Sequence, residues 1–192
     1  MKKQIHDSII LFWKTTKLEL VEYAPDDINK WLALFEAYKI LNNWLRVFWA
    51  RWVNLSEGLS EVAFCITMGS HRFAKKIWGN QSTSFDTFNL LKGEAEQIKA
   101  CSVEQDLTSF WPDSKWDKLY FMDFYNNWNV DWTFDIYEIL TELIHNMKVN
   151  KEQSFLDQQK QWKRPRLSIK KDIIKVHGLT PIKSKIKFQP TP

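Results

Sequence analysis

The chain has 192 residues, 44% hydrophobic and 26% charged, proportions that exclude wholesale disorder and leave room for one domain with its own core. Its two cysteines, Cys65 and Cys101, form no CxxC pair, which excludes a disulfide framework or a cysteine zinc site and points to a reducing compartment such as the cytoplasm. The net charge of +4 is unevenly shared: residues 163–192 hold nine Lys or Arg against one acid, a balance of +8, which leaves −4 for the rest.

Aromatic residues are abundant at 15%, with eleven Trp, whereas only five Gly are present, which suits helices better than a many-stranded sheet. Residues 1–23 read equally as strand or helix, because the run Ile9–Trp13 is too short for periodicity to assign. It is also too short for a signal-peptide core, and no uncharged apolar stretch approaches the ~20 residues of a membrane span.

Pro25, Asp26 and Asp27 mark a helix start. The helix is predicted to run from about residue 25 to 53 and includes WLRVFWARWV (44–53). On a helical projection Leu34, Tyr38, Leu41, Trp44, Leu45, Phe48 and Trp52 share one arc, broadened by Trp31, Ile40, Val47 and Trp49. So wide a stripe predicts a central helix packed on more than one side. A partner interface and a membrane surface are the other readings.

Further helices are predicted over 59–78, ending at Gly79-Asn80, and over 81–101. A short one opens at Ser102 and ends before Pro112, another is capped by Asp113 or Ser114 and runs through Tyr125, and the last spans 131–147. The fold class expected is mainly α: a multi-helix body over 1–162 carrying an extended, basic C-terminal arm over 163–192. In IKSKIKFQ, Ile182, Ile186 and Phe188 share one face of an extended chain, and Lys183, Lys185 and Lys187 share the other.

That arm supplies the main candidate site. Lys163, Arg164, Arg166, Lys170, Lys171, Lys175, Lys183, Lys185 and Lys187 are expected to lie along phosphates, because cations spaced along an extended chain neutralise a nucleic-acid backbone. Ile182, Ile186 and Phe188 are the expected partner-binding residues, joined by Trp128 in the aromatic stretch 111–132. A basic cluster of His71, Arg72, Lys75 and Lys76 is a second phosphate contact, read more simply as a solvated helix face.

Asp131, Asp135, Glu138, Glu142 and His145 would line one helical face, and Glu142-x-x-His145 has the spacing of a di-iron bundle ligand pair. No second such pair exists, so no metal and no cofactor are expected. No Gly-x-Ser-x-Gly elbow or glycine-rich phosphate loop supports catalysis. The sequence therefore predicts a non-enzymatic structural or assembly subunit that binds nucleic acid, RNA ahead of DNA, together with other protein subunits. The alternative is a protein-interaction module whose arm adds as a strand to a partner or to a second copy of the chain.

Overall fold

The computed structural model describes residues 1–76, 85–103, 107–125, 131 and 133–191. In chain order, strands β1 (Lys2–Leu11) and β2 (Lys14–Glu22) form a hairpin, followed by helices α1 (Asp27–Val47) and α2 (Glu57–Met68). Then come β3 (His71–Lys76), β4 (Thr87–Asn89), β5 (Glu94–Cys101), β6 (Thr108–Ser109), β7 (Lys118–Asp123) and β8 (Phe134–Ile139). Two short helices, α3 (Thr141–His145) and α4 (Phe155–Lys160), precede β9 (Arg166–Leu167). A π-helical turn (Ile169–Ile174), one further helical turn and β10 (Lys183–Ile186) complete the chain.

Among the described residues eight strands form one mixed sheet in the order β1-β2-β3-β4-β5-β7-β8-β10, and β6 pairs separately with β9. The mainly α expectation is therefore wrong. The helix predicted over 59–78 stops at Met68, because Gly69 takes the left-handed conformation (φ +70°) and its amide caps Cys65 O at 2.9 Å. Residues 71–76 then run on as a strand. Of the predicted helix over 81–101, the described residues 85–101 form a hairpin turned at Gly93 (φ +69°), and the predicted helices over 114–125 and 131–147 contain β7 and β8. The 25–53 helix exists but is shorter. No helix among the described residues is long and apolar enough to cross a membrane.

The centre of the sheet is the parallel pair β5–β7, covered on both faces, which hides the polar/apolar alternation that would have marked these strands. One face carries α1 and α2: Trp31, Phe35 and Phe64 pack with Ile98, Tyr120, Met122, Phe134 and Ile136. The opposite face carries the C-terminal third, where Phe155, Leu167, Ile169 and Ile173 pack with Leu119, Phe121 and Ile139.

The segment after residue 162 is thus woven into the body and is not a free arm. Leu167, Ile169, Ile173 and Ile174 are buried, and β10 adds antiparallel to β8 within the same chain. Phe188 rounds the sheet edge to meet Trp31 and Phe134 edge-on, with ring centroids at 5.0 and 5.6 Å. Asn29 then holds the backbone of Thr191 through two hydrogen bonds of 3.0 and 3.1 Å.

A chain ending at Trp162 loses four buried aliphatic side chains, each contributing roughly 1.5–3 kcal/mol. That sum is comparable to the whole stability of a domain, roughly 5–15 kcal/mol. The truncated chain is expected to lack a cooperative thermal transition by circular dichroism. A sharp transition near that of the full chain would contradict this assignment of the C-terminal segment to the core.

Candidate active site

The β4–β5 hairpin brings polar residues of the middle of the chain together. Asp86, just before β4, is fixed through its backbone: its amide donates to Glu96 O at 3.0 Å and its carbonyl accepts from Phe73 N at 2.9 Å. On β5 the side chains alternate, so Gln97 and Lys99 share one face. The Gln97 amide nitrogen donates to Asp86 Oδ2, and the Ile98 amide donates to the same oxygen at 2.8 Å. Two donors on one oxygen fix the carboxyl group in a single orientation.

The third participant is Glu61 on α2, one turn after Glu57 on the same helical face. Arg72 of β3 holds it by an ion pair, Nε to Oε2, at 2.5 Å. Burial, followed by the Glu61 charge, pushes the Asp86 carboxyl up to about 7, against the opposing pull of the Lys99 ammonium. Lys99 itself lies over the Phe110 ring, its nitrogen 5.3 Å from the centroid. The neighbouring acid Glu96 points to the other face, buried, and accepts from Thr87 Oγ1 at 2.8 Å.

These features make the hairpin a catalytic candidate. A carboxyl group held near neutral pKa, a second carboxylate and an amine within electrostatic range form an acid/base constellation in which environment sets the pKa values. Two carboxylates and the Gln97 amide oxygen are hard donors of the kind a magnesium-like cation takes. Among the described residues no three His, Cys, Asp or Glu side chains converge, and Gln97 is the neutral third member.

An acid held just before one strand, with a polar-x-lysine pair on the next, gives the hairpin acid/base groups, and likeness to known proteins shows what family carries them. Residues 23–176 match the Bsp6I restriction endonuclease family model, and the chain belongs to that family. The Type II restriction enzyme Bsp6I of Bacillus sp. (strain RFL6) is 31% identical over 171 residues, spanning 86% of this chain and 92% of that enzyme. No solved structure matches the chain. Glu61, Asp86, Gln97 and Lys99 all lie within the span that the family model matches.

Family membership overturns the expectation of a non-enzymatic structural subunit, its interaction-module alternative and the RNA preference: this is a family of enzymes. Sequence reasoning missed all four site residues because Glu-Ala-Glu-Gln-Ile-Lys-Ala is rich in strong helix formers. The signal available was Gly93, four residues before Gln97-Ile98-Lys99, which turns the segment back on Asp86.

The residues singled out from sequence lie elsewhere. Lys170 is tied to Asp123 and donates to Tyr125 O at 3.0 Å, and the Arg164 guanidinium stacks on the Trp111 ring. Lys163, Arg166, Lys171, Lys175, Lys183, Lys185 and Lys187 are exposed. Ile186 and Phe188 pack on the chain's own core, Ile182 is exposed, and Trp128 lies outside the described residues. The acidic line is broken by β8: Glu138 pairs with Lys118 at 2.6 Å, while Asp135 accepts from Ser184 and the Lys185 amide. His145 packs between Trp116 and Phe155, where burial lowers its pKa. Arg72 is on a strand, not a helix face, and is committed to Glu61.

The raised pKa of Asp86 predicts a pH signature. Below the unfolded value of about 4 both states hold the proton, and the full stability is present. As pH rises toward the folded value of about 7 the unfolded chain ionises first, so stability is lost across that window and does not return above it. Asp86→Asn removes this cost, so without divalent cations it should raise the melting temperature by roughly 3–8 °C at about pH 8 and leave it unchanged near pH 4. Thermal melts of both proteins in chelator check this. An equal gain at both pH values would contradict the assigned cause.

Proposed function

We propose that the chain is a DNA endonuclease that hydrolyses phosphodiesters at the Glu61–Asp86–Gln97–Lys99 cluster. The observation that carries this reading is the clamped Asp86 carboxyl, held on the β4–β5 hairpin within electrostatic reach of the Lys99 ammonium and of the Glu61 carboxylate on α2. DNA enters as the substrate through the likeness to a Type II restriction enzyme.

Asp86 and Glu61 would hold a divalent cation, which supplies Lewis-acid polarisation of the scissile phosphate when bound. The chain's own residues do the rest. Gln97 and the Ile98 amide keep Asp86 oriented, and Arg72 keeps Glu61 aimed from α2 toward the same hairpin. Lys99, its ammonium over the Phe110 ring at the edge of the site, supplies positive charge for the negative charge that grows on the phosphate as a water molecule displaces the leaving oxygen. The exposed cations after residue 162, Lys163, Arg166, Lys171, Lys175, Lys183, Lys185 and Lys187, are a reserve of non-specific phosphate contacts. The two cysteines, buried and unpaired, suit a reducing intracellular setting.

Incubating supercoiled plasmid DNA with the protein and magnesium tests the reading. Wild type should linearise or nick the plasmid, and Asp86→Asn and Lys99→Ala should each lower the rate by at least about 10²–10³-fold while still binding DNA. Plasmid cleavage that survives both substitutions would remove the cluster from the chemistry. Replacing Lys183, Lys185 and Lys187 with alanine should weaken DNA binding and flatten the log–log salt dependence by roughly 0.9 for each phosphate no longer neutralised.

A further inference from the structure

The β1–β2 hairpin turns on two aromatic residues. Leu11 pairs with Lys14, which leaves Phe12 and Trp13 as a two-residue loop, and both take positive φ, 47° and 68°. Such a loop is the usual place for Asn-Gly, because bulky side chains rarely adopt the left-handed region. Phe12 has a packing reason to be there: it is half-buried against the apolar cluster of Ile9, Leu11, Phe85 and Phe88. Trp13 does not pack and is 97% exposed. The fold therefore holds a large ring in water on a strained backbone, with no gain to its own core.

The hairpin carries this ring outward. β3 pairs with β2 only over Leu18–Val21. Among the described residues, the end of the hairpin, 9–11 with 14–16, thus extends past the neighbouring strand as a two-stranded ribbon. Lys14, next to the ring, is exposed, as is Thr15, and Lys17 follows on the same strand. No acid occurs from Ser8 to Leu18. The base of the ribbon is tied to the candidate site, because Ile9, Leu11 and Phe12 share one apolar cluster with Phe85 and Phe88, which stand on either side of Asp86 in the chain.

We infer that this tip is a DNA wedge: Trp13 inserts into a base step of the duplex, and Lys14 and Lys17 meet phosphates beside it. The inference rests on DNA being the substrate proposed above. Three features select duplex DNA as the occupant. A two-stranded ribbon is of a size that a groove of the double helix admits. A flat, exposed ring gains by stacking on bases of any sequence, and inserted side chains unstack a base step and bend the duplex. Cations beside the ring, with no acid among them, match the phosphates that flank such a step. Stacking then offsets a strain that the free protein carries without any packing in return.

The wedge predicts opposite effects on stability and on binding. In the full chain Trp13→Gly should raise the melting temperature by roughly 2–4 °C, because glycine takes positive φ freely. The same substitution should weaken binding to plasmid DNA in chelator by about 5- to 150-fold. Its salt dependence should match wild type, since the ring carries no charge, whereas Lys14→Ala should flatten the log–log slope by roughly 0.9. Relaxing the plasmid with topoisomerase I while wild type is bound, then removing the protein, should leave negative supercoils that record unwinding. With saturating Trp13→Gly the plasmid should stay relaxed. Equal affinity of the two proteins, a lowered melting temperature, or no unwinding by bound wild type would overturn the wedge and leave the chemistry of the cluster standing. A wild-type protein that neither binds nor cleaves the plasmid would remove the nuclease reading and the wedge together.

Discussion

The backbone of Asp86 is tied to β3 through its carbonyl and to β5 through its amide, so its carboxyl group projects from a fixed position at the entry to β4. An oxygen that takes two donors, one from the Gln97 side chain and one from the Ile98 amide, has little rotational freedom left. Placing that carboxyl group out of water and within reach of the Glu61 charge is unfavourable, and both push its pKa up. The surrounding architecture tolerates it because the sheet is anchored on both faces, and a site that stores such a cost is poised to take up a compensating charge. Lys99 supplies one such charge from within the chain. Arg72 instead pairs with Glu61, whose charge opposes ionisation of Asp86, and links β3 to α2.

The sheet that carries this site depends in turn on the C-terminal segment. β5 and β7 run parallel, and parallel strands need cover on both sides. α1 and α2 cover one side. The other is closed largely by residues that follow β8, Phe155 on α4 and Leu167, Ile169 and Ile173 beyond it, together with Phe110. The same stretch turns its lysines outward, so it is a core element and a basic surface at once. Its π-helical turn starts at Ser168, whose hydroxyl accepts from the Lys171 amide, and Asp172 returns to the Ser168 amide at 2.8 Å. These local bonds let a segment with no helical period in its sequence adopt a tight helical turn.

Legibility in the sequence followed how strongly each element is marked locally. The start of α1 was plain, because proline and acids occupy its first turn, and Asp27 does accept from the Ala24 amide at 3.0 Å. The alternation of IKSKIKFQ was read as extended chain, and Lys183–Ile186 is a strand. The central strands were not legible. Their residues are favourable in helices, both their faces are buried, and only a left-handed glycine at each end of the stretch, Gly69 and Gly93, signals the turns. The candidate cluster was invisible for the same reason: its members span 38 residues of sequence, from Glu61 to Lys99, and a helical reading of 81–101 never places Gln97 and Lys99 on a strand next to that of Asp86. The tail's charge asymmetry drew attention to cations whose chemistry depends on a substrate, and away from the acids Glu61 and Asp86.

The tryptophan-rich stretch shows why composition alone could not orient α1. A helical projection finds one broad apolar arc and assigns it to the core, yet two seams run along this helix. The inner one includes a polar residue: Asn42 is buried because its amide satisfies both the amide and the carbonyl of Val53, at 2.9 and 3.1 Å, and so folds the chain after α1 back against the helix. The outer one includes Trp44 and Phe48. Hydropathy ranks Asn42 outside and Trp44 inside, the reverse of their positions, because it has no term for a side chain that replaces water in the hydrogen bonds of a neighbouring backbone. A buried amide with both partners met costs little, and a tryptophan left in water costs much. The free energy still available on this helix is therefore concentrated on its outer seam.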